Sequence, residues 1–299
     1  MKYTKPAISF EQQAQRLLDR GLIAPNKEAL IQHLSMVNYY RLSAYWYPYK
    51  RIDSTGNECF APDTTFETIW RRYTFDHHLR LLVMDAIEHV EITILRTRIV
   101  EQFTLLHGPF GYCDPGNFHP KFDHVRLMQE TDNAVERSKE EFVQRFQRKY
   151  TSEPHLPLWM TAEVMTFGQL FTFFRFLHNV EKKQIAQMLN VHLPVLESWL
   201  HTLLFIRNVC AHHSRLWNRA IPIRPKLPIA RHSPEWHKPV KISNRRVFVV
   251  LTVLKYLLSH ISPQTDWNDR LFSLLDEYHD IPLREMGFPE NWRGSSLWK

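Results

Sequence analysis

Glycine and cysteine are both scarce in this chain, which has 8 glycines and 3 cysteines among 299 residues. A glycine-cradled nucleotide site or a turn-rich all-β fold needs more glycine than this, because glycine averages about 7% of residues. The low glycine content therefore favours helices. Cys59, Cys113 and Cys210 form no CxxC pair and are odd in number. The sequence thus predicts neither a disulfide framework nor a cysteine zinc site.

Long apolar segments are also missing from the sequence. The most apolar run, Val247–Leu258, is interrupted by Lys255 and is too short to span a bilayer. Residues 1–13 contain no apolar stretch of the kind found in secretory signal peptides. These features predict a cytoplasmic protein that has no membrane partner.

Basic residues and histidines are abundant. Lys and Arg total 38 against 31 Asp and Glu, which gives a net charge of +7, and there are 17 histidines. A moderate positive charge is compatible with a polyanionic partner such as nucleic acid, but it does not require one. Histidine binds metals and transfers protons near neutral pH, so the composition leaves both kinds of site open.

Helix-start signals recur along the chain. Ser9 with Gln12, and Thr64 with Glu67, fit capping boxes, and Asn26 can cap a second helix. The helix that follows Thr64 is predicted to run to about His107, and its length predicts a bend or break. Other expectations are a buried helix over 158–178, a helix starting near Pro194, one capped by Ser243, a last one after Thr265 or Asp266, loop at 51–63 and a basic connector at 220–242. No segment predicts a convincing strand, so the fold class is all-α.

The densest group of reactive side chains is RNVCAHHSRLWNR, residues 207–219. On a helix, Asn208 and His212 share a face that Arg215 and Arg219 continue, and Arg207 borders it. Arginine donates a planar fork to phosphate oxygens, and histidine can accept or donate a proton near pH 7. Because RNA supplies its own 2′-hydroxyl nucleophile, this set suits phosphodiester transesterification. The alternative is a solvated basic helix end.

Residues 207–212 resemble the R-x4-H motif of the HEPN superfamily, with a polar residue after the arginine. Nearly the whole chain resembles the Abi-like abortive-infection family of bacterial phage-defence proteins. The resembling stretches are 5–6 with 20–23, 38–42 with 45–48, 73–76 with 79–82, 85–88 with Glu91 and Arg96, 156–159 with Glu163 and 167–168, Trp199, 207–219 and 286–292.

The resemblance implies an all-α, HEPN-like helical bundle with an additional N-terminal helical region and a helical C-terminal extension. The corresponding ranges are residues 1–63 for the N-terminal region, 64–262 for the bundle, and 263–299 for a C-terminal helix and tail packed on the bundle.

The resemblance also implies an activity, that of a metal-independent endoribonuclease without a cofactor. Arg207 would hold the scissile phosphate, His212 would transfer a proton and Asn208 would orient one of them. The products would carry 2′,3′-cyclic phosphate and 5′-hydroxyl ends. Because the chain has one R-x4-H match, a homodimer would form the composite cleft. A structured non-coding RNA and an antitoxin are further partners that relatives suggest. The competing class is a non-catalytic RNA-binding or protein-regulatory module.

Several neighbouring residues have two open interpretations. Asp85, Glu88 and Glu91 either support the motif, with Arg207 as their cation, or form surface pairs such as Asp85 with His89. His213 is a second catalytic base or an RNA contact. Candidate RNA-binding residues are Arg215, Arg219, Arg245 and Arg246.

Three other features also have a functional and a structural interpretation. His77 and His78 could join His212 and His213 at a metal, although no established ligand spacing supports this. The Tyr39–Tyr47 cluster either stacks on bases or lies in the core. The basic connector either tracks an RNA backbone or is a solvated loop.

Overall fold

A computed structural model describes residue 2, residue 4 and residues 6–299, so Lys5 of the resembling stretch lies outside the described residues. Helices dominate this part of the chain, which confirms the all-α class. The α-helices are α1 (Phe10–Asp19), α2 (Lys27–Val37), α3 (Tyr39–Trp46), α4 (Phe66–Val90), α5 (Ile99–His107), α6 (His124–Arg137), α7 (Glu141–Lys149), α8 (Leu158–Val164), α9 (Phe167–Phe176), α10 (Asn179–Met188), α11 (Leu193–Ala211), α12 (Val247–Ile261) and α13 (Trp267–Glu277). The strands are β1 (Lys50–Ile52) and β2 (Glu58–Phe60), paired antiparallel.

The first of two compact units contains the chain up to Leu79 together with Ser273–Ile281. Its tyrosine-rich segment is divided between core and surface. Tyr45 and Trp46 are buried, and the Tyr45 hydroxyl donates to Asp76 Oδ2 at 2.6 Å. Tyr40 and Tyr47 are 86% and 72% exposed. The core interpretation therefore holds for part of the cluster, and two rings lie at the surface.

The second unit contains Arg80–Phe272 and Pro282–Lys299. Its core is built on α12, in which residues 247–254 are all buried, and on the adjacent α11. Aromatic rings extend the core, and Phe103 of α5 meets Phe173 of α9 at 5.1 Å between centroids. The predicted ranges 1–63, 64–262 and 263–299 stay a prediction, because a compact unit need not fold as an independent domain.

The long helical segment that starts at Phe66 ends at His107, as predicted, and it is not uniform. Residues Glu91–Arg98 between α4 and α5 form a π-helix, and the Ile99 N–H donates to the Ile94 carbonyl. A π-helical turn inserts an extra residue into the i to i+4 ladder and often marks a functional site. The expected break is thus a change of helix type.

Two predicted helix starts differ from the structure. Thr65, not Thr64, caps α4, since its hydroxyl accepts from the Thr68 N–H at 3.2 Å. Ser243 does not cap α12, which begins at Val247 after Arg246. The Ile221 N–H donates to the Arg245 carbonyl, and this bond holds the chain before α12 outside the helix.

Two predicted segment types also need correction. Residues 158–178 form two helices, α8 and α9, because Thr166 and Gln169 make a capping box that starts α9. The predicted loop at 51–63 contains most of the β1–β2 hairpin. Asp53 Oδ1 accepts from the Thr55 and Asn57 N–H groups and closes its turn.

None of the described helices combines the length and the apolarity that crossing a membrane requires.

Candidate functional site

Helix α11 carries the R-x4-H residues to the surface. Pro194 lies in its first turn, and its buried side is lined by large apolar side chains such as Trp199, Leu203 and Ile206. Trp199 packs on Trp236 at 5.1 Å between centroids, which fixes the helix against the connector. Buried positions alternate with exposed ones toward the C-terminal end, so the polar residues of the last turn face outward. The local sequence thus dictates a rigid support for an exposed polar end.

The last turn of α11 places Asn208, His212 and His213 on the surface, and Arg207 is partly buried. Arg207 Nη1 donates weakly to Asn208 Oδ1, at 3.4 Å. His212 is the C-cap residue, and its N–H donates to the Asn208 carbonyl. The two residues of the R-x4-H motif therefore lie within the last helical turn and its cap, on a support that packs elsewhere.

Arg207 lines a surface depression of about 340 Å³ together with three carboxylate residues of α4 and the π-helix, Asp85, Glu88 and Glu91. The apolar part of this lining comes from Leu81, Met84 and Ile87. The structure thus brings the predicted supporting carboxylates to the predicted phosphate-binding arginine. His212 is not part of this lining.

Two of the three carboxylates form ion pairs with arginines other than Arg207. Asp85 Oδ2 lies 3.0 Å from Arg270 Nη1, and Glu91 Oε1 lies 2.7 Å from Arg96 Nη2. The predicted alternative pair of Asp85 with His89 is replaced by the pair with Arg270. Of these three carboxylates, only Glu88 has no ion pair within 4 Å among the described residues.

Arg96 anchors the π-helix to the junction of α8 and α9. Its guanidinium donates to the carbonyls of Ala162 and Met165 as well as to Glu91. The sequence analysis does not predict this role, although the five-residue spacing of Glu91 and Arg96 could have indicated their contact. Residues five apart face each other on a π-helix, whereas on an α-helix they do not.

The candidate RNA-binding arginines lie in two segments that meet. Arg246 Nη1 donates to the Asn218 carbonyl at 2.6 Å, and Arg219 Nε donates to the Arg215 carbonyl at 2.7 Å. Arg245 and Arg246 are exposed, while Arg215 and Arg219 are partly buried. The segment after α11 is therefore tied to the start of α12, next to the R-x4-H residues.

The basic connector is neither a loose loop nor a helix. Trp199 Nε1 donates to the Lys226 carbonyl, and the Thr202 hydroxyl donates to the Ile223 carbonyl. Ile221, Trp236 and Val240 are buried, whereas its basic side chains are exposed. The exposed cations are Arg224, Lys226, Arg231, Lys238 and Lys241. The backbone is thus packed on α11 while the charges face solvent.

Metal ligation finds no support in the geometry of the described residues. No three of their His, Cys, Asp or Glu side chains cluster in a way that could hold an ion. Cys210 is buried in α11, consistent with a packed small residue.

The arrangement supplies a guanidinium that can hold a phosphate oxygen and imidazoles that can move protons. Both come from the end of one well-packed helix.

One family model matches the chain, and its description is Abi-like protein. The match covers residues 32–218, more than half of the chain, and includes α4, the π-helix and the R-x4-H residues. No curated protein and no solved structure matches the chain.

Proposed function

The chain belongs to the Abi-like protein family, and from this premise we propose that it is a metal-independent endoribonuclease of bacterial abortive infection. The family associates the chain with abortive infection. Within that association, the proposed reaction is attack of a ribose 2′-hydroxyl on the neighbouring phosphodiester.

The observation that carries the proposal is the exposed end of α11. Arg207 and His212 lie there on a helix whose other side is buried. In the proposed reaction, Arg207 neutralises charge on the phosphate and His212 accepts the 2′-hydroxyl proton. Asn208, within 3.4 Å of Arg207 Nη1, limits the rotation of that guanidinium.

The proposed site is shared by two protomers, because one chain supplies one R-x4-H set. Arg215, Arg219, Arg245 and Arg246 extend the basic surface and would bind flanking phosphates. A structured RNA or an antitoxin is a proposed regulator of the same surface.

The carboxylates near Arg207 are proposed to hold the guanidinium in position before RNA binds. Glu88 is the candidate for an influence on Arg207 at a distance beyond 4 Å, since Asp85 and Glu91 already pair with Arg270 and Arg96.

The test is RNA cleavage by the purified protein with EDTA present. Arg207→Ala and His212→Ala should each reduce the rate at least about 100-fold, as expected for loss of a charge-stabilising or proton-transfer group. The products should carry 2′,3′-cyclic phosphate ends. Arg126→Ala removes an exposed cation of α6 and is the matched control, with an unchanged rate.

Three results would contradict the proposal. One is activity that requires an added metal. Another is equal activity in all the variants. The third is RNA binding without cleavage that survives both substitutions, which would favour a non-catalytic RNA-binding module instead.

A further inference from the structure

Three α-helices in the part of the chain that the structure describes end in the same backbone motif. In each, the residue after the C-cap has positive φ and donates its N–H to the carbonyl of the second-last helical residue. The next residue donates its N–H to the carbonyl of the third-last helical residue. The residues in the positive-φ position are Gly21 after α1, Asn190 after α10 and His213 after α11, with φ of 86°, 51° and 54°. After α1, the N–H groups of Gly21 and Leu22 donate to the carbonyls of Leu18 and Leu17. After α10, those of Asn190 and Val191 donate to the carbonyls of Gln187 and Ala186. After α11, those of His213 and Ser214 donate to the carbonyls of Cys210 and Val209.

The end of α11 departs from the other two in its choice of side chains. Glycine suits positive φ because it lacks Cβ, and asparagine is tolerated because its short side chain bonds locally. The following residue is apolar after α1 and α10, Leu22 and Val191, as this motif favours, whereas α11 has Ser214. At α11 the chain places an imidazole and a hydroxyl where glycine and an apolar residue would cap the helix better.

Strained backbone that persists at one of several equivalent positions points to a functional side chain. His213 is exposed and directly follows His212, so their Cα atoms are about 3.8 Å apart. Imidazoles on two consecutive residues at the exposed end of one helix can both reach a single bound RNA strand.

The proposed reaction needs a second proton transfer, which the His212 imidazole that accepts the 2′-hydroxyl proton does not supply in the same step. When the 2′-oxygen bonds to phosphorus, His212 takes the hydroxyl proton. The bond from phosphorus to the 5′-oxygen then breaks, and the departing oxygen must gain a proton to leave as a hydroxyl.

We propose that His213 is a catalytic residue, the general acid that protonates the 5′-oxygen leaving group of RNA. This inference rests on the proposed ribonuclease function and deepens it. One proton moves from the 2′-hydroxyl to His212 and one from the His213 imidazolium to the 5′-oxygen. The products are a 2′,3′-cyclic phosphate and a 5′-hydroxyl, and solvent restores both imidazoles.

His213→Gly separates the capping role from the chemical one. Glycine fits the positive φ, so the variant should keep the helix end folded, as checked by circular dichroism, and still lose about 100-fold or more of its rate on RNA. Asn190→Gly is the matched control, because it makes the same replacement in the same motif after α10. It should also stay folded and keep its rate. A fully active His213→Gly would overturn the proposal.

A substrate with an activated leaving group tests the acid role itself. Nitrophenolate departs without a proton, so His213→Gly should cleave uridine 3′-(4-nitrophenyl phosphate) within about tenfold of the wild-type rate, whereas His212→Ala should remain slow on both substrates. Equal losses of His213→Gly on both substrates would overturn the assignment. If the wild type cleaves neither substrate, the proposed function fails, and this inference falls with it.

Discussion

Asp85 of α4 is paired with Arg270 of α13, with 3.0 Å between Oδ2 and Nη1. This pairing, with the one between Glu91 and Arg96, satisfies two of the three carboxylates around Arg207. Glu88 is therefore the carboxylate of this lining that has no ion pair among the described residues. In the proposed function, an RNA phosphate that approaches Arg207 would be repelled by that carboxylate.

Glu88→Gln should strengthen RNA binding about two- to fivefold at low salt, because it removes a partly solvated negative charge beside the proposed phosphate contact. The gain should shrink as salt rises, because screening weakens the repulsion. Titration with labelled RNA at two ionic strengths measures it. Glu136→Gln removes an exposed charge of α6 and should have no effect. Weaker binding in Glu88→Gln would contradict this account.

Arg96→Ala should lower the free energy of unfolding by about 2–4 kcal/mol, since it leaves Glu91 and the carbonyls of Ala162 and Met165 without their partly buried donor. Urea denaturation measures the loss. Arg98→Ala removes the neighbouring exposed pair with Glu101 and should cost less than about 0.5 kcal/mol. Equal costs for the two variants would mean that the π-helix is not anchored by Arg96.

The residues that cap the starts of the helices show how much of the fold the sequence predicts. The caps at Ser9 and Asn26 were correct because a cap depends on residues within one turn. The capping box of Thr166 and Gln169 depends on equally local residues. The continuous apolar pattern of residues 158–178 nevertheless predicts one helix there, so the start of α9 is missed. The position of Thr65 was missed by one residue because two adjacent threonines can both cap.

The depression around Arg207 was predictable only in part. The sequence suggested that carboxylates of α4 meet Arg207, and the structure brings them together. The partner of Asp85 was not predictable, because Arg270 lies 185 residues away and nothing local marks it. Pairing over such distances depends on how whole helices pack.

The free energy of unfolding should depend on pH through His201 of α11. Burial, with a smaller contribution from the nearby Arg175 charge, lowers the pKa of His201 below 6.5. The unfolded chain therefore binds this proton more readily than the folded one. The resulting stability is present above about pH 6.5 and is lost as pH falls through the folded-state pKa.

His201→Phe should weaken this pH dependence of the unfolding free energy, and it retains a ring against Phe171, which now stacks on His201 at 5.4 Å. Denaturation at several pH values from about 5 to about 8, the range around the usual histidine pKa, measures how the free energy of unfolding changes with pH. His279→Gln removes an exposed histidine and should leave the slope unchanged. An unaltered slope in His201→Phe would exclude His201 as its source.

Mixing the Arg207→Ala and His212→Ala variants tests the proposed shared site. If the cleft contains residues from both protomers, Arg207→Ala mixed with His212→Ala should regain activity, because a mixed dimer retains one arginine and one histidine. Each variant alone, incubated under the same conditions, is the control. No recovery after subunit exchange, verified by tagged chains, would contradict a composite cleft.

The π-helix at Glu91–Arg98 gives the chain a place where its length can change. Deleting one residue there would remove the extra residue of the wide turn and allow the ladder to return to ordinary α-helical spacing. The side chains from Ile99 to His107 would then keep their orientation around the helix axis, and Phe103, which is fully buried, would stay in the core. The same deletion within α5 would turn every following side chain by about 100°. A single-residue deletion should therefore be tolerated far better in the π-helix than in α5.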